Sequence, residues 1–73
     1  MGDYRILRHG QLWGVYVPGR CGAILTSEDR THLIAWACEL AQDYGGDVDV
    51  YHEDGRLEMT YSYSSGVEIK RAP

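Results

Sequence analysis

No stretch of this chain approaches the run of about 18 apolar residues needed to cross a bilayer. The opening Met1-Gly2-Asp3-Tyr4-Arg5 lacks the apolar segment of a targeting signal. Gly2 does not make a myristoylation site either, because Ile6 stands where that signal needs Ser or Thr. These absences predict a cytoplasmic protein with no membrane attachment. Basic residues are scarce too: Lys70 is the single lysine, and the net charge is −4. Binding to a nucleic-acid backbone is driven by neutralising phosphates, so this balance argues against it.

Catalytic signatures are missing as well. The sequence contains no Gly-x-Ser-x-Gly, phosphate loop or dinucleotide fingerprint. Cys21 and Cys38 are neither close in sequence nor at a metal spacing, and read as free thiols in a reducing compartment. A covalent mechanism would need one of them beside a histidine, which nothing in the spacing promises. His9, His32 and His52 stand far apart, and none pairs with a second ligand at a metal spacing. Asp47-x-Asp49 breaks the calcium-loop pattern at the third acid and at the glycine. The expectation is a protein without catalytic residues, cofactor or metal.

What the chain does contain is the material of one small folded domain, spanning residues 1–73. A 73-residue chain buries only about 60% of its unfolded surface, which leaves no room for a second core and makes association with a partner or a second copy helpful. One segment has helical periodicity, from about residue 27 to 44. Thr26, Ser27 and Asp29 are all eligible N-caps, and Gly45 suits the left-handed position that ends a helix. At 100° per residue, Leu33, Ile34, Ala37, Leu40, Ala41 and Tyr44 form one inward stripe, with Trp36 and Cys38 on its flanks.

The remainder alternates as strands. Tyr4 to Arg8 and Leu12 to Val17 form a hairpin about His9-Gly10, with Ile6 beside Trp13 and Tyr4 beside Val15. A third strand is expected at about Gly22 to Leu25. Residues 47–61 read as a hairpin with a type I′ turn at Asp54-Gly55, which sets His52 opposite Leu57, Val50 opposite Met59 and Val48 opposite Tyr61. Asp49, Tyr51, Glu58 and Thr60 then share the polar face. Ser64-Ser65-Gly66 suits a three-residue loop pairing Tyr63 with Val67 and Tyr61 with Ile69. The order is β-β-β-α-β-β-β, an α+β domain with antiparallel strands, in one sheet or two, packed on a central helix.

Several of these residues together resemble a small bacterial and phage family known only as a domain of unknown function. They are Trp13-x-Val15, the helix end Ala37-x-x-Leu40-Ala41, Gly45-Gly46, the valine strand that follows, and Asp54-Gly55-Arg56 before a Tyr-bearing strand. The resemblance covers roughly Trp13 to Tyr61. It departs at Asp29 and Leu33, where the family has Thr and Ala. It implies a fold and supplies no catalytic residue.

For function, the acids gather between Glu39 and Glu58, with Arg56 the single base among them. This is either a solvated face or an acidic surface that steers a basic protein partner. Trp36 with Glu39 and Asp43 on one helix flank, and Tyr51 framed by Asp49 and Glu58 on the sheet, are the candidate interaction residues. The ordinary readings are that Trp36 packs under the N-terminal hairpin and that Tyr51 is a good strand former. His52, placed by the register at the rim of the apolar face, reads as a satisfied rim residue rather than a ligand or base. The expected function is a non-catalytic protein-interaction module, of the kind a small bacterial or phage accessory or inhibitory protein provides, with self-association through an edge strand as a variant. A nucleic-acid-binding accessory protein is the alternative, since exposed aromatics on a sheet can stack bases and Arg5, Arg8 and Arg20 come from one region.

Overall fold

The computed structural model describes residues 3–73, and the expectation about Gly2 lies outside them. Among the described residues, six strands and one helix follow in the order β1 (Tyr4–His9), β2 (Leu12–Tyr16), β3 (Leu25–Ser27), α1 (Arg30–Tyr44), β4 (Gly46–Tyr51), β5 (Leu57–Ser64) and β6 (Val67–Arg71). They form a single sheet of order β3-β2-β1-β4-β5-β6 with α1 on one face. The domain is α+β. All neighbouring strands are antiparallel except β1 and β4, which run parallel with Tyr4 beside Val48 and Ile6 beside Val50. The helix imposes that exception. After three strands it carries the chain back over the sheet, so β4 must start from the same end as β1.

The core lies between α1 and the strands beneath it. Ile6, Val15, Val48 and Val50 from the sheet meet Leu33, Ala37 and Ala41 from the helix, all essentially without exposure. Two of the three inward helical residues are alanines, which lets the helix approach closely while the valines and Ile6 fill the space. Ile34, Trp36 and Cys38 pack against this core from the sides. Tyr44, expected in the stripe, is instead 80% exposed. A helical wheel fixes only an angle, and Tyr44 is the last helical residue, standing where the chain turns away at Gly45.

Asp29 is the cap, its carboxylate accepting from the Thr31 backbone N–H at 3.0 Å. The helix therefore starts at Arg30, not about residue 27. Gly45 takes φ 79° and returns its N–H to the Ala41 carbonyl at 2.6 Å. Beyond the Asp29 cap, the charges run against the helix dipole, with Arg30 in the first turn and no base in the last. Something other than helix stability places Arg30 there.

Three hairpins close differently from the sequence expectation. The first turns at Gly10-Gln11 with His9 opposite Leu12, so Ile6 faces Val15 and Arg8 faces Trp13. Gly10, at φ 65°, supplies the positive angle that a type II′ turn needs at its first central position. The shift is two residues, which leaves every side chain on its expected face.

At Asp54-Gly55 only the glycine has positive φ, whereas a type I′ turn needs both. The His52 carbonyl accepts from Gly55 N–H and the His52 N–H donates to the Arg56 carbonyl, a three-residue loop of type I turn plus left-handed glycine. Tyr51, not His52, is thus opposite Leu57. A bulge at Glu58 then restores Val50 opposite Met59 and Val48 opposite Tyr61.

The Ser65-Gly66 turn shows the converse. Ser65 adopts φ 52° and Gly66 φ 80°, so the hairpin closes in two residues, with Ser64 opposite Val67. This one-residue difference puts Glu68 beside Tyr63 and Lys70 beside Tyr61, and sends Val67 and Ile69 to the face away from the helix. The third strand also begins later than expected, at Leu25, after a loop whose last residue, Ile24, donates its N–H to the Val15 carbonyl.

Candidate functional site

The sheet has one helix and two faces. The face opposite α1 carries Leu12, Gly14 and Tyr16 from β2 and Leu7 and His9 from β1. On the other half of the sheet it continues through Tyr51 and Leu57. The register sets Thr26, Gly14 and Leu7 side by side across three strands. Continuing the β1–β4 register places Leu7 beside Tyr51, which pairs with Leu57. A row of apolar and aromatic side chains thus crosses the face that α1 leaves open.

At one end of this row is a hollow of about 420 Å³, lined by His9, Leu12, Trp13, Tyr16, Gly22, Ala23 and Thr26. Gly14 explains why it exists. A side chain there would project between Leu12 and Tyr16, and a Cβ would come 2.9 Å from the Ala23 Cβ and 3.1 Å from the Tyr16 ring. The glycine lets the 17–24 loop fold down onto the strand, and the loop forms one wall. An isolated glycine within a strand marks such close approaches, so the signal was in the sequence. Leu12, on the rim, is 40% exposed.

The other side of the sheet carries a cluster of charges at the mouth of the core. Trp13, 7% exposed, is flanked by the Arg8 and Arg30 guanidinium groups at 5.4 and 5.2 Å from its ring. Each cation is neutralised by its own acid, Arg8 by Glu53 at 3.1 Å and Arg30 by Glu58 at 2.8 Å. Arg30 also donates to the Tyr51 carbonyl at 3.0 Å, and His52 Nδ1 lies 3.1 Å from the same Glu58 carboxylate. The bulge turns Glu58 toward the helix, where Arg30 holds it.

The candidate residues from the sequence therefore separate. Glu58 does not join Asp49 and Tyr51 on the open face, because the bulge reverses it. Asp49 is buried and accepts from the Thr60 hydroxyl at 2.8 Å. Tyr51 is half-buried within the apolar row. Trp36 is half-buried and packs on the core, while Glu39 and Asp43 beside it are exposed. His52, expected in the strand opposite Leu57, instead lies just past the end of β4, where its partner is Glu58.

On the far side of the helix, the buried Tyr63 hydroxyl donates to Glu68, a residue of the neighbouring strand. Burial, and then its bonds to Cys38 and Glu68, push the Tyr63 hydroxyl well above the ordinary range. Burial likewise raises the Cys38 thiol. Cys21 is exposed in the 17–24 loop, and both cysteines are free. Among the described residues there is no group of three or more His, Cys, Asp or Glu that could hold a metal ion, and no helix long and apolar enough to cross a membrane. Comparisons with family models, with curated proteins and with solved structures give no match.

Proposed function

We propose that this protein is a non-catalytic binding module for another protein, and that it receives an apolar side chain of that partner in the hollow beside Gly14. The observation that supports this is the hollow itself. It is walled largely by apolar and aromatic groups and lies on the sheet face that no helix covers, the face that also carries Leu7, Tyr51 and Leu57. Concave apolar sites with a few polar groups, here His9 and Thr26, are where hot-spot side chains seat. The acidic balance adds long-range attraction for a basic partner.

Two features weigh for binding over catalysis. The carboxylate–histidine pair His52–Glu58 lies outside the hollow and is held by Arg30. Cys21 lies on the 17–24 loop, and Cys38 lies on the helix, where it is bonded to Tyr63. Of the three arginines behind the nucleic-acid alternative, Arg8 is committed to Glu53, and Arg30, Arg56, Lys70 and Arg71 also lie within 4 Å of acids of this chain. A cytoplasmic location, an accessory or inhibitory role in a bacterium or phage, and membership of the family that the Trp13, Gly45-Gly46 and Asp54-Gly55-Arg56 motifs resemble belong to this proposal.

The test is affinity capture from the native host lysate with wild type and two surface variants. Leu12→Asp places a charge on the rim of the hollow and should abolish capture of the specific partner. Trp36→Ala with Glu39→Lys should leave it in place. Retention by Leu12→Asp with loss by the helix variant would move the site to the helix flank and refute the hollow. Gly14→Ala, which crowds the loop wall, should weaken capture in parallel with Leu12→Asp.

A further inference from the structure

From the geometry of strand β6 we infer that this chain pairs with a second copy of itself, edge to edge, in one register centred on Ile69. Strand β6 is an outer strand of the sheet, lies outside the main helix contacts, and is exposed at every residue from Val67 to Arg71. Its outward N–H and C=O groups are a template for another strand. The question is which partner fits.

A two-fold axis relating two antiparallel edge strands stands normal to the sheet, so residues set opposite each other must lie on the same face. Only registers centred on a residue meet this condition. Glu68 and Lys70 share the helix side, while Val67, Ile69 and Arg71 share the open side. Centred on Glu68, the register opposes two carboxylates. Centred on Lys70, it opposes two ammonium groups. Centred on Ile69, it sets Glu68 of each copy opposite Lys70 of the other, twice, with Ile69 against its twin on the axis. This register also overlaps all five residues of the strand.

The side chains that gain cover are the ones now most exposed. Val67 is 58% and Ile69 53% accessible, two of the four exposed large apolar residues among those described. Pairing brings both copies of Ile69 together and makes one sheet continuous through the two molecules. The charges serve two ends at once. Opposite charges across strands attract and like charges repel, so Glu68 and Lys70 favour one register and disfavour its neighbours. The Tyr63 hydroxyl, bonded to Glu68, holds that carboxylate in place on the helix side. This pairing does not depend on what occupies the hollow.

Sedimentation equilibrium of the full chain, from micromolar to millimolar protein, should show a monomer–dimer equilibrium for wild type that weakens with salt. Glu68→Lys opposes two ammonium groups at both pairs, and Lys70→Glu opposes two carboxylates. Each variant alone should dimerise about tenfold or more weakly than wild type. Mixed in equal amounts they should associate with each other. The lysine introduced in one chain then meets the glutamate introduced in the other, and the unchanged Lys70 of the first meets the unchanged Glu68 of the second. The fold of each variant is checked beforehand by circular dichroism, and the mixing experiment itself requires both to be folded. A wild type that stays monomeric up to millimolar protein overturns the proposal. So does a pair of single variants that dimerise as well alone as together. If neither charge variant folds, Ile69→Lys, which opposes two ammonium groups on the axis on the open side, must abolish the dimer; a surviving dimer overturns the register.

Discussion

Replacing Arg30 by Ala should destabilise the domain by about 2 kcal/mol. The guanidinium makes two bonds to Glu58, at 2.8 and 3.3 Å, in a pair whose side chains are each less than or about a third exposed. A two-pronged pair with this partial cover contributes about 1 kcal/mol after screening. Its bond to the Tyr51 carbonyl at 3.0 Å adds about 1 kcal/mol. Stacking over Trp13 adds about 0.5–1 kcal/mol. Against these, removing a cation from the first helical turn relieves about 0.3–1 kcal/mol of unfavourable dipole energy. The balance stays destabilising because three contacts are lost for one that is relieved. Urea unfolding measures it: with a slope of about 1 kcal/mol per molar, the midpoint should fall by about 2 M at unchanged slope. Arg30→Lys keeps the charge but loses the fork, and should fall between. A midpoint equal to or above wild type for Arg30→Ala would refute the reasoning. So would a double-mutant cycle with Glu58→Gln that shows no coupling.

Two further outcomes follow from particular groups. Stability should fall as pH rises above about 9 to 10, because the unfolded chain releases the Cys38 and Tyr63 protons from their ordinary values of 9.0 and 10.0, whereas the folded chain holds both. A raised folded-state pKa contributes stability that is complete below the unfolded value and is lost above it, at up to about 1.4 kcal/mol per pH unit for each group. Urea midpoints from neutral to alkaline pH give the curve; Tyr63→Phe should flatten it, and a wild-type curve level to about pH 11 would refute the assignment. Ser65→Asn should stabilise by about 0.5–1 kcal/mol, since φ 52° is strained for Ser and Asn tolerates that region. Thermal unfolding reads this as a rise of a few degrees, and a fall would show that the Ser65 hydroxyl, not its backbone, holds the turn.

The class of the fold was legible because alternation and helical period are averages over many residues. The swap between the two later turns was not. Asp54-Gly55 and Ser65-Gly66 carry almost the same local signal, a small polar residue followed by glycine, and either can close as two residues or as part of three. What decides is tertiary. Turning in three residues at Glu53-Asp54-Gly55 requires the Glu58 bulge to bring Val50 and Met59 back opposite each other, and Arg30 receives the carboxylate that the bulge turns over. Arg30 in turn runs against the helix dipole, and its three contacts outside the helix account for it. The hollow was hidden for a different reason. Gly14 marked it, but the wall is made by a loop whose path no periodicity describes.

The same one-residue choice at Ser65 determines what the outer edge of the sheet offers. Had the hairpin closed in three residues, Val67 and Ile69 would face the helix side beside Tyr63 and Tyr61, and Glu68 would lie on the open face. The open face of the edge would then carry Glu68 and Lys70 in place of two apolar residues. Closing in two residues exposes Val67 and Ile69 on the open face and gathers Glu68, Lys70 and Tyr63 behind it. A small domain lacks the core to hide such residues and gains by covering them with a second copy. The strained serine and the exposed isoleucine are thus consequences of one backbone decision. A change at position 65 that forced a three-residue closure would move Val67 and Ile69 to the helix side and take the Ile69 contact off the open face of the inferred pair.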